Sequence, residues 1–455
     1  MISIIGAIIV ISLIIYITVN IHNPKLGNNL FFLAILSSLT FDIGYFCKIN
    51  NTIIEYNYIF SIIANIALVI SHIMKNKINK NSFTLIIIFY IYILLNMLYP
   101  LFLNTNYISV SFEDSWDIYF FSGQELDSVS FSKHSIGMYI RVVMFIISFY
   151  IFAKNLTKED LVEYAKKIYK LSWFIIIVSI IETFITNFVD IGLFRRVIFD
   201  LFGTTDATYF IQRMGFKGIY VPMGFMREPS TYVKSLFIFM INNLYLLYGK
   251  KLKEKKKLII NIIILLFIII FSNSLSGYIY FIAIMCIFIY MTKNKKYKLM
   301  AFVIVPVICI LVGTLAKDRI MTVLNAFNYF DLSPSKLQLQ SELIRLYSMN
   351  NNLKIFGDNF LVGSGFGTIY CYSAIITLLT NIGLIGSALY LYIIYYINSI
   401  AVKNKKFSIF TFFIIFITNI FMGHMSQIIY IETFAYQLIL LKSMDCIKRG
   451  DKNNE

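Results

Sequence analysis

Four charged side chains stand close together in the sequence, just before an apolar segment. They are Arg213, Lys217, Arg227 and Glu228. A guanidinium group is a rigid fork that binds phosphate oxygens in pairs and stays charged at physiological pH. A carboxylate at the same place can exchange a proton with a bound group. The combination predicts an anion-binding site that has a carboxylate available for acid–base chemistry.

The backbone around these side chains also suits a ligand. Three glycines between positions 215 and 224 let the chain approach a bound group closely. Glu228 and Pro229 fit the first turn of a helix, where proline is favoured, and Tyr232 follows in the same turn. The N-terminus of a helix carries a partial positive charge. We therefore expect side chains and backbone to bind an anion together.

A further arginine, Arg345, lies on a predicted surface helix. The helix is expected to begin near residues 331–334 (Asp-Leu-Ser-Pro) and to run as an amphipathic stretch to about Asn350. Residues 363–367 (Gly-Ser-Gly-Phe-Gly) then form a flexible approach to the next apolar segment. As a phosphate loop, this glycine pattern is weak evidence without a second signal.

The chain that carries these residues has the composition of a membrane protein. It has 455 residues, of which 58% are hydrophobic and 14% charged, and its mean hydropathy is +0.75. A soluble domain carries about 25% charged residues, so soluble, secreted, fibrous and disordered classes are excluded. The five cysteines show no spacing typical of a disulfide framework or a metal site. We expect neither a metal nor a cofactor.

Apolar segments of about the length that spans a bilayer, roughly 20 residues, alternate with lysine-rich connectors. We therefore predict an all-α fold, a polytopic integral membrane protein with about 12 or 13 transmembrane helices in a single domain over residues 1–455. The net charge of +16 is read as a topology signal rather than as nucleic-acid binding. The candidate helices lie near 2–20, 28–47, 57–74, 82–103, 135–153, 171–189, 231–248, 258–272, 276–292, 299–316, 372–402, 407–423 and 426–441.

The basic connectors fall at alternate ends of these segments, so all of them can be cytoplasmic at once. This arrangement places the N-terminus outside and leaves three long outer segments, 104–134, 190–230 and 317–371, which carry short helices. Most lysines lie on the cytoplasmic connectors, whereas every arginine except Arg449 lies outside or within a helix. The outer face is therefore predicted to contain the anion site.

Three charged residues, Asp42, Arg141 and Glu182, fall within predicted transmembrane helices. A charge at mid-bilayer costs about 2.5–3.5 kcal/mol on insertion scales, so each needs a partner or water. They could share a polar pocket that opens outward, in which Arg141 pairs with either carboxylate, or form an internal salt bridge that only fixes packing. Arg195 and Arg196 are expected to anchor a helix end at the lipid headgroups.

Four elements between about 210 and 390, in this order, resemble the O-antigen polymerase and ligase superfamily, in particular the repeat-unit polymerases (Wzy type). These bacterial enzymes act on undecaprenyl-diphosphate-linked glycans at the outer face of the plasma (inner) membrane. The elements cover about two fifths of the chain. They are Arg213 and Gly215 with Glu228-Pro229, the turn 272–277 (Ser-Asn-Ser-Leu-Ser-Gly), Arg345 before the glycine run, and residues 380–386 (Thr-Asn-Ile-Gly-Leu-Ile-Gly).

The resemblance implies a glycosyltransferase that makes O-antigen or capsule. It would transfer a growing glycan from undecaprenyl diphosphate to a hydroxyl of a lipid-linked repeat unit, without a metal ion. On this reading the catalytic residues are Arg213, Glu228 and Arg345. Substrate binding is assigned to Arg141, Lys217, Arg227, Tyr232 and His424.

Two alternatives remain beside a polymerase. The ligase branch typically has His-Asn where this sequence has Tyr372-Ser373, and this departure favours a polymerase. It also removes the expected catalytic histidine, so Glu228 and His424 are the candidate bases, although His424 could simply cap a helix. A flippase for lipid-linked oligosaccharides would handle the same diphosphate, but no internal repeat typical of transporters is evident.

The predicted partners follow from the resemblance. They are undecaprenyl-diphosphate-linked oligosaccharide repeat units and the lipid bilayer, with a chain-length regulator and a flippase as candidate protein partners. No nucleic acid is expected.

Overall fold

A computed structural model shows a chain built almost entirely from α-helices. The structure describes residues 4–20, 23, 25–40, 45–49, 52–73, 80–102, 108–109, 127–128, 131, 133–202, 219–226, 229–249, 254–272, 274–295, 299, 306, 313–314, 341–369, 373–402 and 428–449. In chain order the elements are α1 (Ile4–Val19), α2 (Leu26–Thr40), β1 (Tyr45–Ile49), β2 (Thr52–Glu55), α3 (Tyr56–Ile73), α4 (Lys80–Leu98), β3 (Ile108–Ser109), β4 (Asp127–Ser128), α5 (Lys133–Asn155), α6 (Lys158–Phe188), α7 (Leu193–Phe202), α8 (Pro229–Tyr248), α9 (Lys255–Phe271), α10 (Leu275–Met291), α11 (Ser341–Asp358), α12 (Ala374–Ala401) and α13 (Ile428–Arg449).

Several helices have the length and composition of membrane spans. Within the described ranges, four helical segments qualify: Thr84–Leu101, Ser135–Asn155, Lys158–Phe188 and Ala374–Ala401. Many of their apolar side chains face outward; for example, Leu95 is 64% and Phe184 59% exposed. Such large apolar surfaces suit lipid rather than water. The predicted all-α polytopic membrane fold is confirmed, while the count of 12 or 13 crossings stays a prediction.

Several predicted boundaries are wrong. The sequence predicts that residues 154–170 form a basic connector between two helices, but α6 begins at Lys158 and continues through residue 170. Thr157 and Asp160 form a capping box in which each side chain accepts a hydrogen bond from the other's backbone N–H, and Lys25 pairs with Asp160 at 2.5 Å. This cap starts the helix at Lys158, whereas hydropathy predicts a start at residue 171, so about two fifths of the helix precedes its predicted start.

The second wrong boundary concerns the predicted helix over 28–47. Helix α2 ends at Thr40, and the following residues form β1, which pairs antiparallel with β2. Tyr45, Phe46 and Ile49 are aromatic or β-branched and favour a strand over a helix. Hydropathy alone does not distinguish the apolar residues of β1 from a continuation of the helix.

Helix α8 is the centre of the bundle. Every residue from 231 to 246 is buried, and the helix packs against α6, α9, α10 and α13. A helix that is enclosed on all sides belongs to the core. In the sequence, its first turn follows directly on Arg227 and Glu228.

Buried amides hold α8 in place. Asn242 donates to the Ala165 carbonyl at 2.9 Å and accepts from the Tyr436 hydroxyl at 2.8 Å, and Asn243 donates to Asn261 at 2.7 Å. Interhelical hydrogen bonds of this kind fix the rotation and register of packed membrane helices. Helix α8 is thereby tied to α6, α9 and α13.

Two of the predicted outer segments contain the expected short helices, α7 in 190–230 and α11 in 317–371, whereas the described part of 104–134 contains the small β3–β4 pair. Helix α11 continues to Asp358, beyond the predicted end near Asn350. On which side of the membrane these segments lie is still a prediction.

Cysteine labelling tests that prediction. In a background without the native cysteines, Arg196→Cys and Leu361→Cys should react with a membrane-impermeant maleimide in intact cells. Lys167→Cys and Lys257→Cys should react only after permeabilisation, because Lys167 lies in the first half of α6 and Lys257 in the first turn of α9, the ends of these helices that are predicted to face the cytoplasm. All four side chains are exposed, so access depends on the side of the membrane. Labelling of the first pair only from the cytoplasm would overturn the orientation.

Candidate functional site

The predicted site residues divide into two groups. Tyr232 lies on α8, Arg141 on α5 and Arg345 on α11. The other predicted site residues lie outside the described part of the chain: Arg213, Lys217, Arg227, Glu228 and His424.

Glu182 on α6 holds the segment that leads into α8. One of its carboxylate oxygens pairs with Arg195 at 2.5 Å. The other accepts the backbone N–H groups of Met223 at 3.0 Å and Gly224 at 2.7 Å. Glu182 and Arg195 are each only 2% exposed. A carboxylate with these three partners is satisfied without water.

Two predictions about these charges are therefore wrong. Arg195 does not anchor α7 at the lipid surface; it points inward and also donates to the Met226 carbonyl at 3.2 Å. Glu182 pairs with Arg195 rather than with Arg141, because both of its oxygens are already occupied. Asp42, the other predicted partner of Arg141, lies outside the described residues.

Further contacts pin the same segment to α6. The Asn187 side chain forms a two-way pair with the Tyr220 backbone, accepting at 2.7 Å and donating at 3.2 Å. The Tyr232 hydroxyl bonds to Ser179, and its ring packs beneath Gly224, where an added Cβ would come within 3.0 Å. Tyr232 is fully buried, so it shapes this segment; its predicted contact with a substrate stays a prediction.

Residues 220–226 will be called the clasped segment. Hydrogen bonds from α6 and α7 side chains hold this segment at its two ends and in the middle, and Val221 to Met226 are all buried. The segment ends immediately before Arg227 and Glu228. The structure thus supplies a rigid support for the region in which the sequence predicts anion binding.

A break in helix α12 forms the second notable feature. Gly383 has φ 64° and ψ −172°, a conformation essentially confined to glycine, in the middle of the helix. The broken helix leaves carbonyl groups without helical partners. Thr380 and Asn381 accept from the backbone N–H groups of Ser364 (2.8 Å) and Gly365 (3.1 Å), and Ile382 accepts from Tyr92 (2.8 Å).

The loop 359–369 fills this break. On the other side of Gly383, the N–H groups of Leu384 and Ile385 donate to the Phe360 and Leu361 carbonyls at 2.9 and 3.2 Å. These N–H groups are therefore occupied and offer no site for a phosphate. The predicted flexible approach is wrong, because residues 363–367 are buried and bonded to α12.

Asn381 organises the same loop. Its side chain accepts from the backbone of Thr368 (3.1 Å) and Ile369 (3.2 Å), and it donates to Ile369 (2.9 Å) and Thr377 (2.7 Å). Ser135 on α5 donates to the Gly367 carbonyl at 3.0 Å. The glycine run and residues 380–386, two separate elements of the sequence resemblance, are one structural unit.

The turn 272–277 lies beside the start of α8. Ser272 donates to the Ile269 carbonyl at 2.7 Å, and a Cβ on Gly277 would come within 3.2 Å of Val233, in the first turns of α8. A third element of the resemblance is thus close to the helix that follows Arg227 and Glu228.

Residues 260–379 match the family model described as O-antigen ligase. The match covers about a quarter of the chain, and it includes the 272–277 turn, Arg345 and the glycine run. It supports a relation to the O-antigen polymerase and ligase superfamily and a glycan-processing enzymatic role in a membrane. It fits polymerase and ligase equally. Among curated proteins and among solved structures, no significant match is found.

Sequence reasoning missed the two features that shape the site region. The sequence shows the charge of Glu182, but its partner Arg195 lies 13 residues away along the chain, beyond a turn. Met223 in the clasped segment lies 41 residues away. For the broken helix, the available signal was Asn381 followed by Gly383 inside an apolar stretch, a combination that interrupts a helix.

Proposed function

We propose that the protein is a glycan polymerase of the O-antigen polymerase and ligase superfamily. It transfers a growing polysaccharide from undecaprenyl diphosphate to a lipid-linked repeat unit at the outer face of the bacterial plasma membrane. The observation that carries the proposal is the family match over 260–379, which contains Arg345. The clasped segment, which directly precedes Arg227 and Glu228 in the sequence, adds to it.

The reaction breaks the bond between the anomeric carbon of the donor glycan and its diphosphate oxygen. A hydroxyl oxygen of the acceptor sugar forms the new bond to that carbon and loses its proton to a base. Negative charge grows on the departing undecaprenyl diphosphate while the sugar carries oxocarbenium character. Preplaced cationic donors in a poorly hydrated site stabilise such charge strongly.

The roles of the residues follow from this chemistry. Arg213, Arg227 and Arg345 bind the diphosphate, and Lys217 and Arg141 add positive charge for the substrate. Glu228 accepts the proton of the acceptor hydroxyl, with His424 as the other candidate base. Guanidinium groups hold a diphosphate without a divalent ion, so the reaction is proposed to be independent of metal.

One observation favours a polymerase over a ligase. At the position of the ligase His-Asn pair the chain has Tyr372-Ser373, and Ser373 caps α12 by accepting from the N–H of Ile376 at 3.5 Å. An asparagine could cap a helix equally well. The histidine of the ligase pair is therefore the group that this chain lacks, and this departure favours a polymerase.

A reconstituted assay tests the proposal. The purified protein in lipid is incubated with its undecaprenyl-diphosphate repeat unit, without nucleotide sugar and with a chelator, and the lipid-linked products are resolved by size. We expect a ladder of repeat multiples. A finished glycan that moves only when lipid A-core is added would indicate a ligase. Movement of intact substrate across the bilayer without new linkages would indicate a flippase.

A further inference from the structure

Two neighbouring arginines on α7 occupy opposite environments. Arg195 is buried and pairs with buried Glu182, whereas Arg196 is exposed and pairs with Asp190 at 2.9 Å. The Gly192 N–H and the Arg196 guanidinium hold the pKa of the Asp190 carboxyl below its usual range. Only the buried pair reaches another part of the chain, since it bonds to three residues of the clasped segment.

A buried ion pair is weak evidence for a role in stability. Removing two charges from water costs about as much as their attraction returns, and well-packed apolar residues often serve stability as well. Apolar side chains, however, cannot bind backbone groups. The pair of Glu182 and Arg195 holds the N–H groups of Met223 and Gly224 and the carbonyl of Met226, so it selects one backbone conformation.

The Met226 carbonyl is the important contact. It belongs to the planar peptide unit whose nitrogen is that of Arg227, so holding the oxygen restricts the orientation of that nitrogen. Two residues later the chain enters α8 at Pro229, and α8 is locked in the core. In the sequence, only Arg227 and Glu228 stand between the clasped segment and Pro229.

We infer that Glu182 and Arg195 are positioning residues for glycosyl transfer. They fix the backbone of the clasped segment, which directly precedes Arg227 and Glu228, the residues proposed to bind the departing diphosphate and to accept the proton of the acceptor hydroxyl. Neither Glu182 nor Arg195 touches a substrate. This inference rests on the proposed function. A misplacement of about 1 Å can cost about 10²-fold in rate, so the effect should appear in kcat.

Arg195→Lys tests the inference. The lysine keeps the charge beside Glu182, but a single ammonium cannot reproduce the fork that bonds both Glu182 and Met226. We expect kcat to fall about 10²-fold, with KM changed little and the thermal unfolding midpoint of the detergent-solubilised protein changed little. Arg196→Lys is the matched control and should keep wild-type activity.

A double variant separates positioning from a general structural effect. If Arg195 acts through Arg227, then Arg195→Lys combined with Arg227→Lys should be no slower than Arg227→Lys alone, because residues that act as a unit are not additive. If the two substitutions lowered kcat by independent factors that multiply in the double variant, the inference would be overturned. A loss of activity by Arg195→Lys that only parallels a loss of folded protein would overturn it as well.

A labelling experiment keeps the test independent of the proposed function. In the Arg227→Cys variant, the new thiol should react with a soluble maleimide at one rate when position 195 is arginine and at a different rate when Arg195→Lys is added. Adding Arg196→Lys instead should leave the rate unchanged. An equal rate in all three backgrounds would contradict positioning even if the enzyme polymerises. If Arg195→Lys changed the labelling rate but the wild-type protein formed no polymer, the positioning role of Arg195 would still be supported and the proposed polymerase activity would be rejected.

Discussion

Replacing Arg345 by lysine should nearly abolish chain growth while the protein still folds and inserts. Lysine keeps the positive charge but offers a point charge in place of the planar fork that binds two phosphate oxygens. Loss of one preplaced donor to a developing anion costs about 10²–10³-fold in kcat. The measurement is the rate of ladder formation in the reconstituted assay, normalised to the amount of folded protein. Arg213→Lys should have an effect of similar size for the same reason.

The control for Arg345 lies on the same helix. Lys354 is exposed on α11 and has no assigned role, so Lys354→Arg should leave the rate unchanged. If both arginine variants polymerised at the wild-type rate, the bidentate binding of diphosphate would be rejected. If they failed to accumulate in the membrane, the arginines would have a structural role instead.

Gly383→Ala should remove most of the folded protein. The backbone at Gly383 has φ 64° and ψ −172°, which costs a residue with a Cβ about 1–3 kcal/mol. The added Cβ would also lie 2.3 Å from the Leu361 carbonyl oxygen and 2.4 Å from its carbon, and both atoms are backbone. Relief requires the loop 359–369 to leave the helix break, which removes the hydrogen-bond donors of the Thr380 and Asn381 carbonyls.

Gly357→Ala provides the matched comparison. Gly357 lies in α11, where an added Cβ meets nothing within 4 Å, so the substitution should be neutral or stabilise the helix by up to about 1 kcal/mol. Both variants are compared by thermal unfolding in detergent, followed with a thiol-reactive dye that reports exposure of buried Cys446. Equal unfolding midpoints for Gly383→Ala and the wild type would show that the helix break is not required for the fold.

The two predictions probe different functions of the second half of the chain. The Arg345 substitution tests chemistry at α11, which lies within the family match over 260–379. The glycine substitution tests the framework that joins α11 to α12 through the loop 359–369. A variant that loses the chemistry at Arg345 but keeps the framework would show the wild-type unfolding midpoint and make no polymer.

Membrane class and most helices could be predicted from the sequence, because they depend on local quantities. Hydropathy over about 20 residues places α1, α3, α5, α8 and α12 within a few residues of their observed ends. The arginine-rich segments and the resemblance over 210–390 also come from short stretches, and the family match over 260–379 supports that resemblance. Where local signals competed, as at the ends of α2 and α6, the boundary was wrong.

The partners of charged and glycine residues were decided only by the tertiary structure. Glu182 had several possible partners, and the choice of Arg195 depends on how α7 folds back against α6 and the clasped segment. The glycine run at 363–367 is predicted to form a flexible approach, but Gly363 lies against the backbone of Asn381 and Gly383, and Gly383 lies against the backbone of Leu361 and Val362. Such contacts depend on the packing of distant elements, and buried polar groups accept whichever partners that packing supplies.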